Sequence, residues 1–118
     1  MTEVKKYGDT QRSNDEGKPR YDLLPPGPKR LVGMVANFGV KYGERNYAKE
    51  GFVYSRCYAS AQRHIEAWWE GEELDPETKL PHLAHAIWNL WILLWYQLTG
   101  RYTRNDDRYH VLPIEEPR

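Results

Sequence analysis

The chain is poor in several residue types that would place it at once. Its 118 residues include one cysteine, two phenylalanines and two methionines. A single cysteine, Cys57, excludes an internal disulfide and fits a reducing compartment. Neither sign of charge is in excess, because seventeen Lys and Arg balance seventeen Asp and Glu. A protein that coats a polyanion carries a basic surplus, so no nucleic-acid polymer is expected as partner. No apolar stretch opens the chain, and no secretory signal is expected. The longest apolar run, Ala84 to Leu98, is about fifteen residues and is interrupted by His85, Asn89 and Gln97. A bilayer span needs about twenty, so no membrane partner is expected. There is no internal repeat and no low-complexity tract.

What the chain does have is Trp and Tyr, five and nine of them. Each carries a polar handle on an apolar body and suits half-wet interfaces. The length fits one domain with a modest core, for which oligomerisation is a natural way to cover leftover apolar surface. Residues 1–20 are polar and without hydrophobic periodicity, and are expected as a loose tail. Residues 21–100 read as a helical domain, and residues 101–118, with Pro113 and Pro117, as an extended polar tail. Pro25, Pro26 and Pro28 make a stiff entry.

Three helices are expected. The first begins near Pro28 and stops at Gly43, with Leu31, Val35, Phe38 and Tyr42 on one face. The second runs from Tyr54 to Glu70, with Cys57, Ala61, His64 and Trp68 as its apolar stripe and Gly71 as its stop. The third opens at Pro81 and ends at Gly100. It is apolar nearly all round. Trp88, Trp91 and Trp95 share one face, flanked by Leu83, Ile87, Leu90, Leu94 and Leu98. His82, His85, Asn89 and Tyr96 lie opposite. Such a helix belongs in the centre of a bundle or in a subunit interface. The fold class is therefore all-α, a small three- to four-helix bundle, oligomeric, with polar tails.

The stretch from Arg63 to Asn89 holds three of the four histidines. His82, His85 and Asn89 fall on one helical face. They could hold a metal or grip a phosphate, or be packed core residues satisfied by neighbours. His64 could be a third ring facing that pair, or a packed histidine on its stripe. The acidic loop Glu72, Glu73, Asp75 and Glu77, just after Glu70, offers oxygen ligands for a hard cation, or is a solvated turn. Lys41, Arg45 and Asn46 form a basic-polar cluster suited to phosphate oxygens, or an ordinary exposed helix end. Cys57 reads as structural.

Four segments, KPRYDLLP at 18–25, KYGERNY at 41–47, RHIEAWWEGEELDPET at 63–78 and HLAHAIWN at 82–89, carry a resemblance. Together they resemble the N-terminal domain of the phage dATP/dGTP diphosphohydrolases, the MazZ-like family, over residues 18–100. The resemblance implies an all-α relative of the MazG-type nucleotide pyrophosphohydrolases. It implies Mg²⁺ or Mn²⁺, a nucleoside triphosphate cleaved between its α and β phosphates, a homodimer or homotetramer, and a cytoplasmic location, in the bacterial host if the chain is phage-encoded. The usual Glu-x-x-Glu and Glu-x-x-Asp pairs are not matched. His82-x-x-His85 stands where the second pair would be, and Glu66 and Glu70 are four apart. Either the metal site mixes histidine with carboxylate, or only nucleotide binding remains.

The expected roles follow. Glu70, Glu72, Asp75 and His82 are the candidate catalytic set. Glu72, Asp75, Glu77, His82 and His85 are the candidate metal ligands. Lys41, Arg45, Asn46, Arg63, His64 and Asn89 are the candidate nucleotide-binding residues. The reading requires the imidazoles of two helices and the carboxylates of the turn between them to converge.

Overall fold

The computed structural model describes residues 16–109. Its helices are α1 (Pro28–Phe38), α2 (Tyr54–Trp69) and α3 (His82–Thr99), with 3-10 turns at Tyr21–Leu23, Gly39–Tyr42, Asn46–Ala48 and Thr103–Asn105. Among the described residues there is no strand, and an isolated antiparallel bridge joins Leu74 to Pro81. The fold is all-α, as expected. Residues 1–15 and 110–118, most of the expected N-terminal tail and half of the expected C-terminal one, lie outside the described residues. No helix among the described residues is long and apolar enough to cross a membrane.

The helix ends follow local chemistry. Pro28 opens α1, where its missing N–H costs nothing. Two backbone bonds close α2: Gly71 N–H to the Trp68 carbonyl and Glu72 N–H to the Ala67 carbonyl, both 3.0 Å. Gly71 accepts the positive φ of 108° that this closure requires. Gly100 ends α3 in the left-handed region. The start of α2 is different. Val53 gives no side-chain cap. The Asp107 carboxylate caps it from the far end of the chain, accepting from Ser55 N–H at 2.9 Å and Ser55 Oγ–H at 2.6 Å. The bond from the Ser55 hydroxyl holds the Asp107 carboxyl below the usual carboxylate range.

α3 is the common partner: α2 lies along it and α1 packs on it. Of the expected row on α1, Val35 is buried and Leu31 half-buried, whereas Phe38 and Tyr42 are exposed and Val32, outside the row, is buried. The helix tightens into a 3-10 turn at Gly39, which swings Tyr42 out of the row. On α2 the expected stripe holds through Cys57, Ala61 and the half-buried His64, and Trp68 is exposed.

The faces of α3 are the main departure. The inward residues are His82, Ala84, Ala86, Ile92 and Tyr96. Leu83, Ile87, Leu90, Trp91, Leu94 and Leu98 are exposed, Leu98 at 75 %. The side studded with polar groups is thus the buried one. Small alanines allow close approach there, and His82, His85, Asn89 and Tyr96 each make a hydrogen bond. The three tryptophans also separate. Trp88 and Trp95 meet the ring of Tyr47 edge-on, at 5.9 and 5.3 Å, while Trp91 faces outward.

The core cluster is Cys57, Ile92, Tyr96 and Tyr102. Burial pushes the Cys57 thiol up, consistent with an inert structural role. Tyr96 is 0 % exposed. Its hydroxyl donates to the Tyr47 carbonyl and accepts from Phe52 N–H, both at 2.8 Å. Burial is the first reason that its pKa is pushed up to about 12. Tyr102 donates to the Ala48 carbonyl at 2.6 Å, and Asn105 to the Glu50 carbonyl at 2.9 Å. The polar loop between α1 and α2 is therefore held by side chains from α3 and the segment after it. Gly51 is required at this junction. Its φ is 85°, and an added Cβ would stand 2.7 Å from the Tyr102 ring and 2.6 Å from Asn105. Residues 101–109 are accordingly not an extended tail. Tyr102 is 6 % exposed, and the segment folds back on the helices.

Replacing Tyr96 with Phe keeps the ring and leaves the Tyr47 carbonyl and Phe52 N–H unpaired. Such a loss costs about 1–3 kcal/mol. Urea unfolding of Tyr96→Phe should show this decrease, and an unchanged midpoint would contradict the pinning role.

Candidate functional site

The connection from Glu70 to Pro81 is a folded turn. Asp75 N–H donates to the Leu80 carbonyl at 2.8 Å, Lys79 N–H to the Asp75 carbonyl at 2.7 Å, and His82 N–H to the Glu73 carbonyl at 2.8 Å. One oxygen of Asp75, Oδ2, accepts from Glu77 N–H (3.0 Å), Thr78 N–H (2.9 Å) and Thr78 Oγ–H (3.2 Å). An aspartate with a proline next to it and a threonine three residues on favours this side-chain-to-backbone turn. Backbone and side-chain bonds from Thr78, with the nearby His85, lower the Asp75 pKa despite a counteracting effect of burial, the largest single influence.

The turn delivers its carboxylates to the imidazoles. His82 opens α3 and is 4 % exposed. Its Nε2 lies 2.7 Å from Glu72 Oε1, and its Nδ1 lies 2.8 Å from Nδ1 of His64 on α2. An ionised carboxylate only accepts, so Nε2 carries a proton, and a singly protonated ring then presents its lone pair at Nδ1. His85, one turn further along α3, stacks on His64 with ring centres 4.5 Å apart and planes 11° apart. Its Nε2 is 2.7 Å from Thr78 Oγ1. Thr78 thus links His85 to Asp75. Burial pushes the pKa of both His64 and His85 down, and the neighbouring rings add to the effect. Nearby Asp75 partly offsets it. Both rings are therefore neutral at pH 7, the form in which imidazole binds a metal or accepts a proton. Ligand atoms of His64, Asp75 and His82 all lie within 4.8 Å of one another.

The convergence expected from the sequence is present, with changes in membership. His64, expected among the nucleotide-binding residues or as a third ring facing the pair, stands against His82 and His85 and within reach of Asp75. Glu72 orients His82 from the half-exposed edge. Glu70 and Glu77 are exposed, and neither joins the cluster. The backbone of Glu70 ends α2, and that of Glu77 serves the Asp75 turn. Arg63 is exposed on α2, beside His64. The Asn89 amide donates to Ser60 Oγ at 3.1 Å and to the His85 carbonyl at 2.9 Å, so its nitrogen ties α3 to α2 and to its own helix. Thr78 was missed by the sequence reading, although an Asp-x-x-Thr spacing in a turn could have signalled it.

A cleft of about 370 Å³ lies beyond the cluster, lined by Asn37, Tyr42, Arg45, Asn46, Tyr47, Phe52 and Trp88 among others. It therefore gathers two of the expected nucleotide-binding residues, Arg45 and Asn46. Lys41 is exposed nearby in sequence, its ammonium 5.2 Å from the Tyr42 ring. Arg45 sits at φ 53°, the left-handed region, at the rim. Such backbone is uncommon outside glycine and often accompanies a binding site. The histidines are not part of the cleft wall. The two meet through α3, where Trp88 follows His85 by three residues, about 4.5 Å along the axis.

The tautomer assignment is testable in metal-free protein. Long-range ¹H–¹⁵N spectra should show His82 protonated at Nε2, and Glu72→Ala should abolish that preference. A proton fixed on Nδ1 of His82 in the unmodified chain would contradict the arrangement.

Comparison with known proteins bears on this geometry. The sequence profile of the family described as dATP/dGTP diphosphohydrolase, N-terminal, matches residues 8–108. A dATP/dGTP diphosphohydrolase of Salmonella phage PMBT28 is 32 % identical over 96 residues, which cover 80 % of this chain and 32 % of that protein. The chain thus spans about a third of the length of the relative it matches. No solved structure matches.

Proposed function

Because this chain belongs to the dATP/dGTP diphosphohydrolase N-terminal family, we propose that it binds a purine deoxynucleoside triphosphate and takes part in hydrolysing it to a monophosphate and pyrophosphate. The observation that carries the reading is the placement of two unlike sites on one helix. Trp88 walls an aromatic cleft of nucleoside size, and His85, one turn away, belongs to a cluster suited to phosphate chemistry. In this reading the base enters the cleft against Trp88 and Tyr42. Asn46 offers an amide to its edge. Arg45, with Lys41 nearby, balances phosphate charge, including charge that builds during bond cleavage.

In the net reaction water adds to the α-phosphorus, the bond from that phosphorus to the α–β bridging oxygen breaks, and pyrophosphate leaves. The attacking water gives up a proton. His85, held neutral and joined through Thr78 to Asp75, is the group we assign to receive it. A divalent cation at His64, Asp75 and His82 would supply additional charge neutralisation. The Mg²⁺ that the resemblance implies does not suit this donor set, since it prefers all-oxygen surroundings. Mn²⁺ is the better match of the two expected ions.

A second reading has its own support. Glu66 and Glu70, the nearest approach to the MazG-type carboxylate pair, are both exposed and outside the cluster. The same cleft could then serve a binding protein that sequesters a nucleotide signal intact. Incubating purified chain with each deoxynucleoside triphosphate and Mn²⁺, Co²⁺ or Zn²⁺ separates the two. Pyrophosphate release favouring dATP and dGTP is expected, and Arg45→Ala should reduce kcat/KM about tenfold, or ~1.4 kcal/mol. Nucleotide bound but recovered unchanged after heat denaturation, under every metal, would leave binding alone.

The exposed apolar row on α3 supports a homodimer or homotetramer, since α3 carries no charged residue from His82 to Thr99. Light scattering on the eluting protein should report such an assembly, and a monomer at micromolar concentration would rule it out.

A further inference from the structure

We propose that His64, His82 and Asp75 form a selective site for an imidazole-preferring transition ion, Zn²⁺, Co²⁺ or Ni²⁺, from which Mg²⁺ is excluded. The inference rests on the functional reading only for where the chemistry lies. It names the ion, and it makes His64 a ligand and Glu72 a positioning residue.

Three geometric features carry it. The first is the approach of His64 Nδ1 to His82 Nδ1, at 2.8 Å. Two imidazole nitrogens about 2.0–2.1 Å from one ion lie roughly 2.9–3.4 Å apart for tetrahedral to octahedral angles. The observed spacing reaches that range with a shift of a few tenths of an ångström. The second is the contact between Glu72 and His82 Nε2, at 2.7 Å. A carboxylate that fixes one ring nitrogen as N–H turns the other into a ligand, and metal-binding histidines are commonly held this way. His82 is buried, and Glu72 reaches it from the half-exposed edge. The third is the asymmetry of Asp75. All three of its donors go to Oδ2, which leaves Oδ1 for an ion. Among the described residues no Lys or Arg forms an ion pair with Asp75.

The donor chemistry then selects the ion. Two nitrogens and one oxygen suit borderline first-row ions, with affinity rising from Mn²⁺ through Co²⁺ and Ni²⁺. Mg²⁺ demands near-octahedral oxygen and gives up its water reluctantly. One carboxylate between two rings does not meet that demand. The competing account is a plain hydrogen bond, in which one of the two facing nitrogens carries a proton donated to the other.

The test is a Co²⁺ titration of the full chain stripped with a chelator, followed by visible absorption. One Co²⁺ per chain with nitrogen-ligand d–d bands is expected. Zn²⁺ should displace it, and millimolar Mg²⁺ should not. His64→Ala and Asp75→Asn should weaken binding at least tenfold. Glu72→Gln should weaken it by about tenfold, as loss of an orienting partner does. Circular dichroism establishes that each variant is folded. The unmodified chain provides a reading that needs no variant: Zn²⁺ should shift the ¹⁵N resonances of both Nδ1 atoms. No Co²⁺ binding, binding indifferent to His64→Ala in folded protein, displacement by Mg²⁺, or unmoved Nδ1 resonances would each overturn the proposal. Ion binding by these residues without nucleotide turnover supports it and removes only the hydrolase reading. Turnover with Mg²⁺ alone and no Co²⁺ binding does the reverse.

Discussion

A buried imidazole must have both ring nitrogens accounted for, because an unpaired polar group away from water costs several times what a made hydrogen bond contributes. His82 is in that position at the first turn of α3. Glu72 answers one nitrogen and His64 faces the other, so one side chain ties the turn and α2 to α3. The site is in this sense a by-product of the packing. The helix pair cannot close in this way without bringing the rings together.

The same condition operates at the other end of α3. Tyr96 is fully enclosed, and its hydroxyl settles two backbone groups of the loop between α1 and α2. That loop forms one side of the aromatic cleft. A single helix without a charged residue therefore positions the histidine cluster at its first turn and the cleft wall near its middle, and it does so through polar contacts on its inward face. His82 and Tyr96, the two buried polar side chains of this helix, carry those contacts.

How far the sequence could be read depended on the range of the interactions involved. Pro28, Gly71, Pro81 and Gly100 act within a turn of their own positions, and the helix ends they predict are those observed. The gathering of His64, His82 and Asp75 was also readable, because helical spacing and a short turn constrain it. The faces of α3 were not. Leu83 and Leu94 look more like core than His82 does, and only the partners offered by α2 and the turn reverse that order. Thr78 escaped notice for a related reason, since its value lies in standing between Asp75 and His85. The segment from Arg101 to Tyr109 looked like a tail by composition, yet Tyr102 and Asp107 each meet a distant backbone group that no local pattern reveals.

α3 turns its imidazoles one way and a row of leucines the other. A helix is about 10 Å across with its side chains. A partner that covered Leu90, Leu94 and Leu98 would bear on the same rod that sets the pitch of His82 and His85. The face left open and the face that carries the rings thus belong to one rigid element.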